Sequence, residues 1–146
     1  MENKEKLDVL GSPAVLAHIS MLQGIINKMS GNCTNCKTWT VTVVAALMVL
    51  LVDKDVLIPH HWICLIPVVL FYFLDCFYLG MERLCISAQK KFLDDVAKEN
   101  YIDKLYKVEG VSGAKLRLLS TINATISFST TPFYLFVAII VLFFGR

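Results

Sequence analysis

Charge is scarce in this chain. Lys, Arg, Asp and Glu make up 18% of its 146 residues, where a soluble domain carries about a quarter. The net charge of +2 is small, and the basic residues are interspersed with nearly as many acids, so direct nucleic-acid binding is not expected. Glycine is thin as well: seven scattered residues build no glycine-rich phosphate loop. No nucleophile stands beside a base, and no set of ligands has metal spacing, so the chain is expected not to be an enzyme and to need no metal or cofactor. The single C-x-x-C, Cys33 and Cys36, lacks the second pair a zinc site requires and the βαβ context of a redox site. Most of the five cysteines therefore read as small hydrophobes. No secretory signal is expected to open the chain, because the Met1–Asp8 stretch, charged with both signs, precedes no short apolar region with a cleavage site. The N-terminus is expected in the cytoplasm. The sequons at Asn32 and Asn123 then face no secretory lumen and carry no meaning.

What the sequence has in quantity is apolar surface. Hydrophobic residues make up 56% and the mean hydropathy is +0.62, concentrated in three blocks, which no soluble core of this size requires. The expected fold is an all-α membrane protein. An antiparallel transmembrane helical hairpin is joined to an amphipathic N-terminal helix, a cytoplasmic helical extension and a third, C-terminal span, all within one unit of residues 1–146.

The amphipathic helix is placed at 12–30. Ser12 caps it, Pro13 opens it, and Val15, Ile19, Leu22, Ile26 and Met29 recur on one face, with His18 elsewhere. Gly31-Asn32 reads as its stop. This helix packs against its neighbours, lies in the headgroup layer, or presents a partner surface.

Span 1 is placed at 36–53 and span 2 at 60–80, joined by a short turn at Asp53-Lys54-Asp55 and Ile58–Trp62. Trp39 sits at an interface, and Lys37 is expected to snorkel towards headgroups. Lys and Arg crowd both outer ends of the hairpin, while the turn holds only Lys54. Both ends therefore face the cytoplasm and the His60-His61 turn faces outside.

One acid, Asp75, lies inside the second span. A carboxylate at a bilayer's centre costs about 2.5–3.5 kcal/mol, so such residues face protein or water. Asp75 is satisfied by interfacial water, Tyr78, Arg83 or a polar group on a neighbouring helix, or else it lines or gates a pore formed by several copies. Pro67, in the same helix, is positioned to kink it.

From Met81 the helix continues as a cytoplasmic helix over 81–107, with Leu84, Cys85, Ala88, Phe92 and Val96 on one stripe and mixed charge elsewhere. Its face is either solvated or a docking surface with Arg83, Phe92, Tyr101, Leu105 and Tyr106 as anchors. The third span, 118–144, interleaves hydroxyls and an amide with apolar residues before Pro132. Asn123 and Thr125 pack between helices or line a wet path. Arg146 is then expected at the outer side.

The residues Leu22-Gln23, Ile26–Met29, Asn32, Lys37, Trp39, Val41–Ala46 and the string from Ile66 to Leu84 resemble a family of small bacterial multi-span membrane proteins. Some of these are similar to accessory transmembrane proteins found beside phage-defence genes, including nucleotide-signalling and RNA-targeting systems. The likeness covers about half of the chain, and Leu74-Asp75-x-x-Tyr78-Leu79-x-x-Glu82-Arg83-Leu84 is its most specific part. Cys33 and Cys36 depart from the pattern, which has Ser and an apolar residue there, and the third span lies beyond it. The resemblance implies an inner-membrane, multi-pass protein acting with a soluble defence partner. One reading is a homo-oligomeric effector that perturbs or gates the membrane. The other is a non-conducting scaffold that anchors a soluble complex through residues 81–117.

Overall fold

The computed structural model describes residues 11–52, 60–108, 111 and 113–144. Among these the chain is helical without strands: α1 (Pro13–Val52), a short 3-10 turn (His60–Cys64), α2 (Leu65–Ala97), a second 3-10 turn (Ile102–Lys104), α3 (Ala114–Thr125) and α4 (Thr131–Phe144). The connection at 53–59 and the two chain ends lie outside the described residues. α1 and α2 are each long and apolar enough to cross a bilayer; α4 is a shorter apolar helix.

α1 starts as its sequence directs. The Val15 N–H donates to the Ser12 hydroxyl at 3.4 Å and the Leu16 N–H to the Ser12 carbonyl at 3.0 Å, so Ser12 caps a helix opened by Pro13. Gly31-Asn32 does not stop it. The helix continues through Asn32–Lys37, merging the amphipathic helix and span 1 into one rod of 40 residues. The reason is a continuous buried stripe: Val15, His18, Leu22, Ile26, Cys33, Cys36, Thr40 and Val44 recur every three to seven residues and all face inward. Packing of that stripe outweighs the roughly 1 kcal/mol that a mid-helix glycine costs. His18 belongs to this face, contrary to the sequence expectation. The threonines of the apolar half are internally satisfied, for Thr34, Thr38, Thr40 and Thr42 each donate to the carbonyl four residues earlier.

α2 runs unbroken from its apolar half into its charged half, as expected, but stops at Ala97 rather than 107. Lys98 N–H reaches back to the carbonyls of Asp94 and Asp95, and Glu99 takes a left-handed φ of 59°, a geometry that terminates helices. Pro67 lies in the first turn of α2, where a missing N–H breaks no internal hydrogen bond, so it is no mid-helix kink.

α1 and α2 pack along each other in opposite senses. Val15 and Leu22 share a cluster with Phe92 and Val96, Ile26 with Cys85, and Val44 with Cys64 and Val68. α4 completes the last cluster through Tyr134, Val137 and Val141. The outward faces of these same segments are apolar too, at Trp39, Val49, Leu50, Ile66, Leu70, Phe73, Phe136 and Phe143 among others, far beyond the scattered exposures of a soluble monomer.

The third apolar block is broken, not a single helix over 118–144. α3 ends at Thr125, α4 begins at Thr131, and the five residues between form turns. Side chains cap the freed carbonyls. The Thr125 oxygen accepts from the Thr131 hydroxyl (2.6 Å) and the Tyr72 hydroxyl (2.7 Å), and the Asn123 oxygen accepts from Arg83 (3.3 Å). Pro132 falls in the first turn of α4, where its absent donor is no loss. α3 closes on α2 at Gly80, whose carbonyl accepts from the Ser120 hydroxyl at 2.8 Å. A Cβ there would lie 2.9 Å from the Thr121 backbone nitrogen, so the approach requires glycine.

Candidate functional site

The site with the most unusual chemistry lies where α1, α2 and α4 meet. Asp75 points inward from α2 and is 0% exposed. Lys37, two turns beyond Met29 on α1, brings its Nζ to 3.2 Å from Asp75 Oδ2 while keeping its side chain 25% exposed. Neither carboxylate oxygen accepts a well-formed hydrogen bond. The Tyr134 hydroxyl of α4, beside both Asp75 and Thr40, donates instead to the Phe71 carbonyl at 3.2 Å. Cys33 lies one turn before Lys37 and donates weakly, at 3.8 Å, to the Asp75 backbone oxygen. A third buried oxygen, Thr130 Oγ1 at the break, also lacks a partner.

This is a salt bridge with a wet end and a dry end. Coulomb attraction at this separation is strong in a low dielectric, but desolvating the carboxylate costs several kcal/mol and normally demands that its remaining lone pairs be satisfied. Here they are not. The pair neutralises the acid without locking it, which leaves a charged element poised inside an apolar bundle.

Of the other candidate pore or gating residues, Thr125 is half-buried and offers its carbonyl to the break, and Asn123 is exposed and uses its carbonyl for Arg83. Pro67 is half-buried at the start of α2. Asp75 itself turns into its own chain, so a ring of Asp75 residues from several copies requires the α1–α2 packing to open. Lys37 is the residue that sequence reasoning sent to the headgroups instead. Its pairing was readable from register, for Lys37 and Asp75 stand equally far in sequence from Val56, between the two expected spans.

Of the candidate docking anchors Phe92 is buried, Tyr101 and Leu105 are half-buried, and Arg83 and Tyr106 are exposed, yet all five have partners within the chain. Arg83 donates to the Asn123 carbonyl and, at 3.0 Å, to the Ser127 hydroxyl. Phe92 is buried with its ring 4.0 Å from that of His18. Tyr101 and Leu105 pack on the Val15–Leu22–Phe92–Val96 cluster. Only Tyr106 among them exposes its ring, and its N–H donates to His18 Nδ1 at 2.8 Å. Residues 98–108 thus form a strap folded back on the helices. Lys104 fastens it further, 2.7 Å from Asp95. That ammonium holds the Asp95 carboxyl below its ordinary range, and burial pushes the His18 imidazole down from its ordinary 6.5.

All five cysteines are buried and free, and no group of three or more His, Cys, Asp or Glu gathers among the described residues. Compared with known family models, curated proteins and solved structures, the chain matches none of them.

Proposed function

We propose that the chain is a multi-pass protein of the bacterial cytoplasmic membrane, an effector or accessory component of antiviral defence that works as a homo-oligomer to gate or perturb the bilayer. In this reading α1 and α2 form a transmembrane hairpin with both outer ends in the cytoplasm, and α3–α4 is a discontinuous third span. One observation carries it: a lysine–aspartate pair with bare carboxylate oxygens sits between helices whose outer faces are apolar. Ionisable groups in such a setting belong to pathways and gates more often than to packing. Broken spans are found where irregular backbone borders a polar site rather than lipid. The defence assignment rests on the resemblance carried by residues between Leu22 and Leu84, most specifically Leu74–Leu84.

Gating follows from the energetics of the pair. Separating α1 from α2 transfers Asp75 from a dry, incompletely bonded place to water, so hydration of the acid offsets part of the cost of parting the two apolar faces. Several opened copies then present their carboxylates to a shared lumen. The scaffold alternative is weaker, because most of its expected anchors are used inside the chain.

Membrane potential in bacteria expressing the chain, followed with a potential-sensitive dye during phage infection, tests the reading. Depolarisation is expected, changed in onset or extent by Asp75→Asn and by Asp75→Leu, with a homo-oligomer on light scattering in detergent. Cells indistinguishable from empty-vector controls, with a monomeric protein, would refute it.

A further inference from the structure

Asp75 is set among oxygens that accept. Both of its carboxylate oxygens lack a well-formed hydrogen bond although the residue is fully buried. Two buried hydroxyls share its surroundings: Tyr134 of α4 lies beside it, and Thr40 of α1 lies beside Tyr134. Each already directs its hydrogen to a backbone carbonyl, Thr40 to Cys36 at 2.7 Å and Tyr134 to Phe71 at 3.2 Å. A hydroxyl so engaged offers its neighbours lone pairs only. The Cys33 thiol is aimed at the Asp75 backbone oxygen, not at the carboxylate. Against these oxygens the fold sets the Lys37 ammonium, 3.2 Å from Oδ2.

An ammonium head and a potassium ion carry the same charge, are close in size and are both satisfied by oxygen lone pairs. Lys37 is in this sense a cation on a tether, and the tether can withdraw. Each Cβ leans towards the N-terminus of its own helix, and α1 and α2 run in opposite senses. Parting them lets the long lysine stem carry its head towards the N-terminal end of α1, where part of it already meets solvent. The short arm of Asp75 stays at its own level. No other Lys, Arg, Asp or Glu occurs in residues 38–52 of α1, in 65–80 of α2 or in α4, so the carboxylate is the one fixed charge on the parted faces. It balances one positive charge, and a divalent ion would stand half-compensated in apolar surroundings.

The geometry points to an oxygen site for a monovalent alkali cation at Asp75, Thr40 and Tyr134, which the Lys37 ammonium fills in the closed chain and a potassium or sodium ion fills once α1 and α2 part. The proposed gate then passes cations in preference to anions, as acidic residues at a constriction select. Entry of the ion rests on the gating reading, whereas the oxygen cluster stands without it.

Thermal unfolding of the full chain in detergent, with potassium, sodium or N-methyl-D-glucamine chloride at one ionic strength, tests the site. The melting temperature of Lys37→Ala is expected to be several degrees higher in potassium or sodium than in N-methyl-D-glucamine, and to rise saturably with the alkali ion. The wild type, whose own ammonium holds the site, and Lys37→Ala/Asp75→Asn are expected not to respond. Indifference of Lys37→Ala to the exchange, or an equal response of the double variant, overturns the site. Where truncation keeps both variants from folding, Lys37→Met, which retains the stem, decides by the same comparison with Lys37→Met/Asp75→Asn. Reversal potentials of the wild type in planar bilayers under a potassium chloride gradient separate site from gate. A potential near that of potassium supports cation passage; one near zero or near that of chloride overturns it and leaves the gate. Absence of conductance refutes the gating reading and passage with it, while the unfolding result alone upholds or overturns the site.

Discussion

Lys37 Nζ stands 3.2 Å from Asp75 Oδ2, yet the lysine is 25% exposed and the aspartate not at all. The two halves of the pair are therefore unequal partners. Lys37 retains water at its tip, whereas Asp75 depends on Lys37 for nearly all of its compensation.

That inequality predicts an asymmetric mutational response. Lys37→Met leaves a buried charge without its partner and is expected to destabilise by about 3 kcal/mol, the low end for breaking a buried pair because one side is wet. Asp75→Asn leaves Lys37 free to extend into solvent and should cost less. The double variant Lys37→Met/Asp75→Asn should be more stable than Lys37→Met alone. Thermal unfolding in detergent measures all three.

Glycine positions should separate by location. Gly80→Ala forces a Cβ to within 2.9 Å of the Thr121 nitrogen and 3.0 Å of the Ser120 carbonyl carbon, so α3 must shift, at a cost of about 1–3 kcal/mol. Gly24→Ala and Gly31→Ala meet nothing within 4 Å and should each stabilise by up to about 1 kcal/mol. Protease cleavage within α3, faster only in Gly80→Ala, reports the difference.

The strap should loosen in acid. Burial lowers the His18 pKa from 6.5, so below that value the unfolded chain takes up a proton that the folded chain resists. His18 thus contributes its full stability above pH 6.5 and loses it as pH falls towards the folded value. Protonation at Nδ1 also removes the acceptor of the Tyr106 N–H. Hydrogen exchange at that amide, compared by opening free energy at each pH, should show protection falling below pH 6.5, and His18→Gln should flatten the dependence.

At the break, two hydroxyls share one acceptor. Thr131 and Tyr72 both donate to the Thr125 carbonyl, so Tyr72→Phe or Thr131→Val leaves the other donor in place and should cost about 1 kcal/mol or less. Tyr72→Phe/Thr131→Val strands the carbonyl and should cost more than the two single losses combined. A double-mutant cycle by thermal unfolding checks the coupling.

Hydropathy made α1 and α2 legible, and the change from apolar to mixed charge inside α2 announced a helix that continues past the apolar segment. Asp75 stood out because an acid is rare among such neighbours. What stayed hidden was set by tertiary packing. Gly31-Asn32 looked like a stop, but helix propensity yields to the buried stripe through Cys33 and Cys36. The interruption between Thr125 and Thr131 depends on donors from Tyr72 and Arg83, some forty or more residues away. Phe92 and Tyr101 appeared to be outward anchors only because the strap that covers one and holds the other has no periodicity of its own.

α2 has one further property. Its 33 residues contain no break between Leu65 and Ala97, giving a stiff rod of about 50 Å at a rise of about 1.5 Å per residue. A tilt of such a rod about its close approach at Gly80 moves Phe92 and Val68 in opposite directions, with Asp75 just beyond that point. A lever of this kind needs no relay of intermediate residues: leverage at one end is displacement at the other.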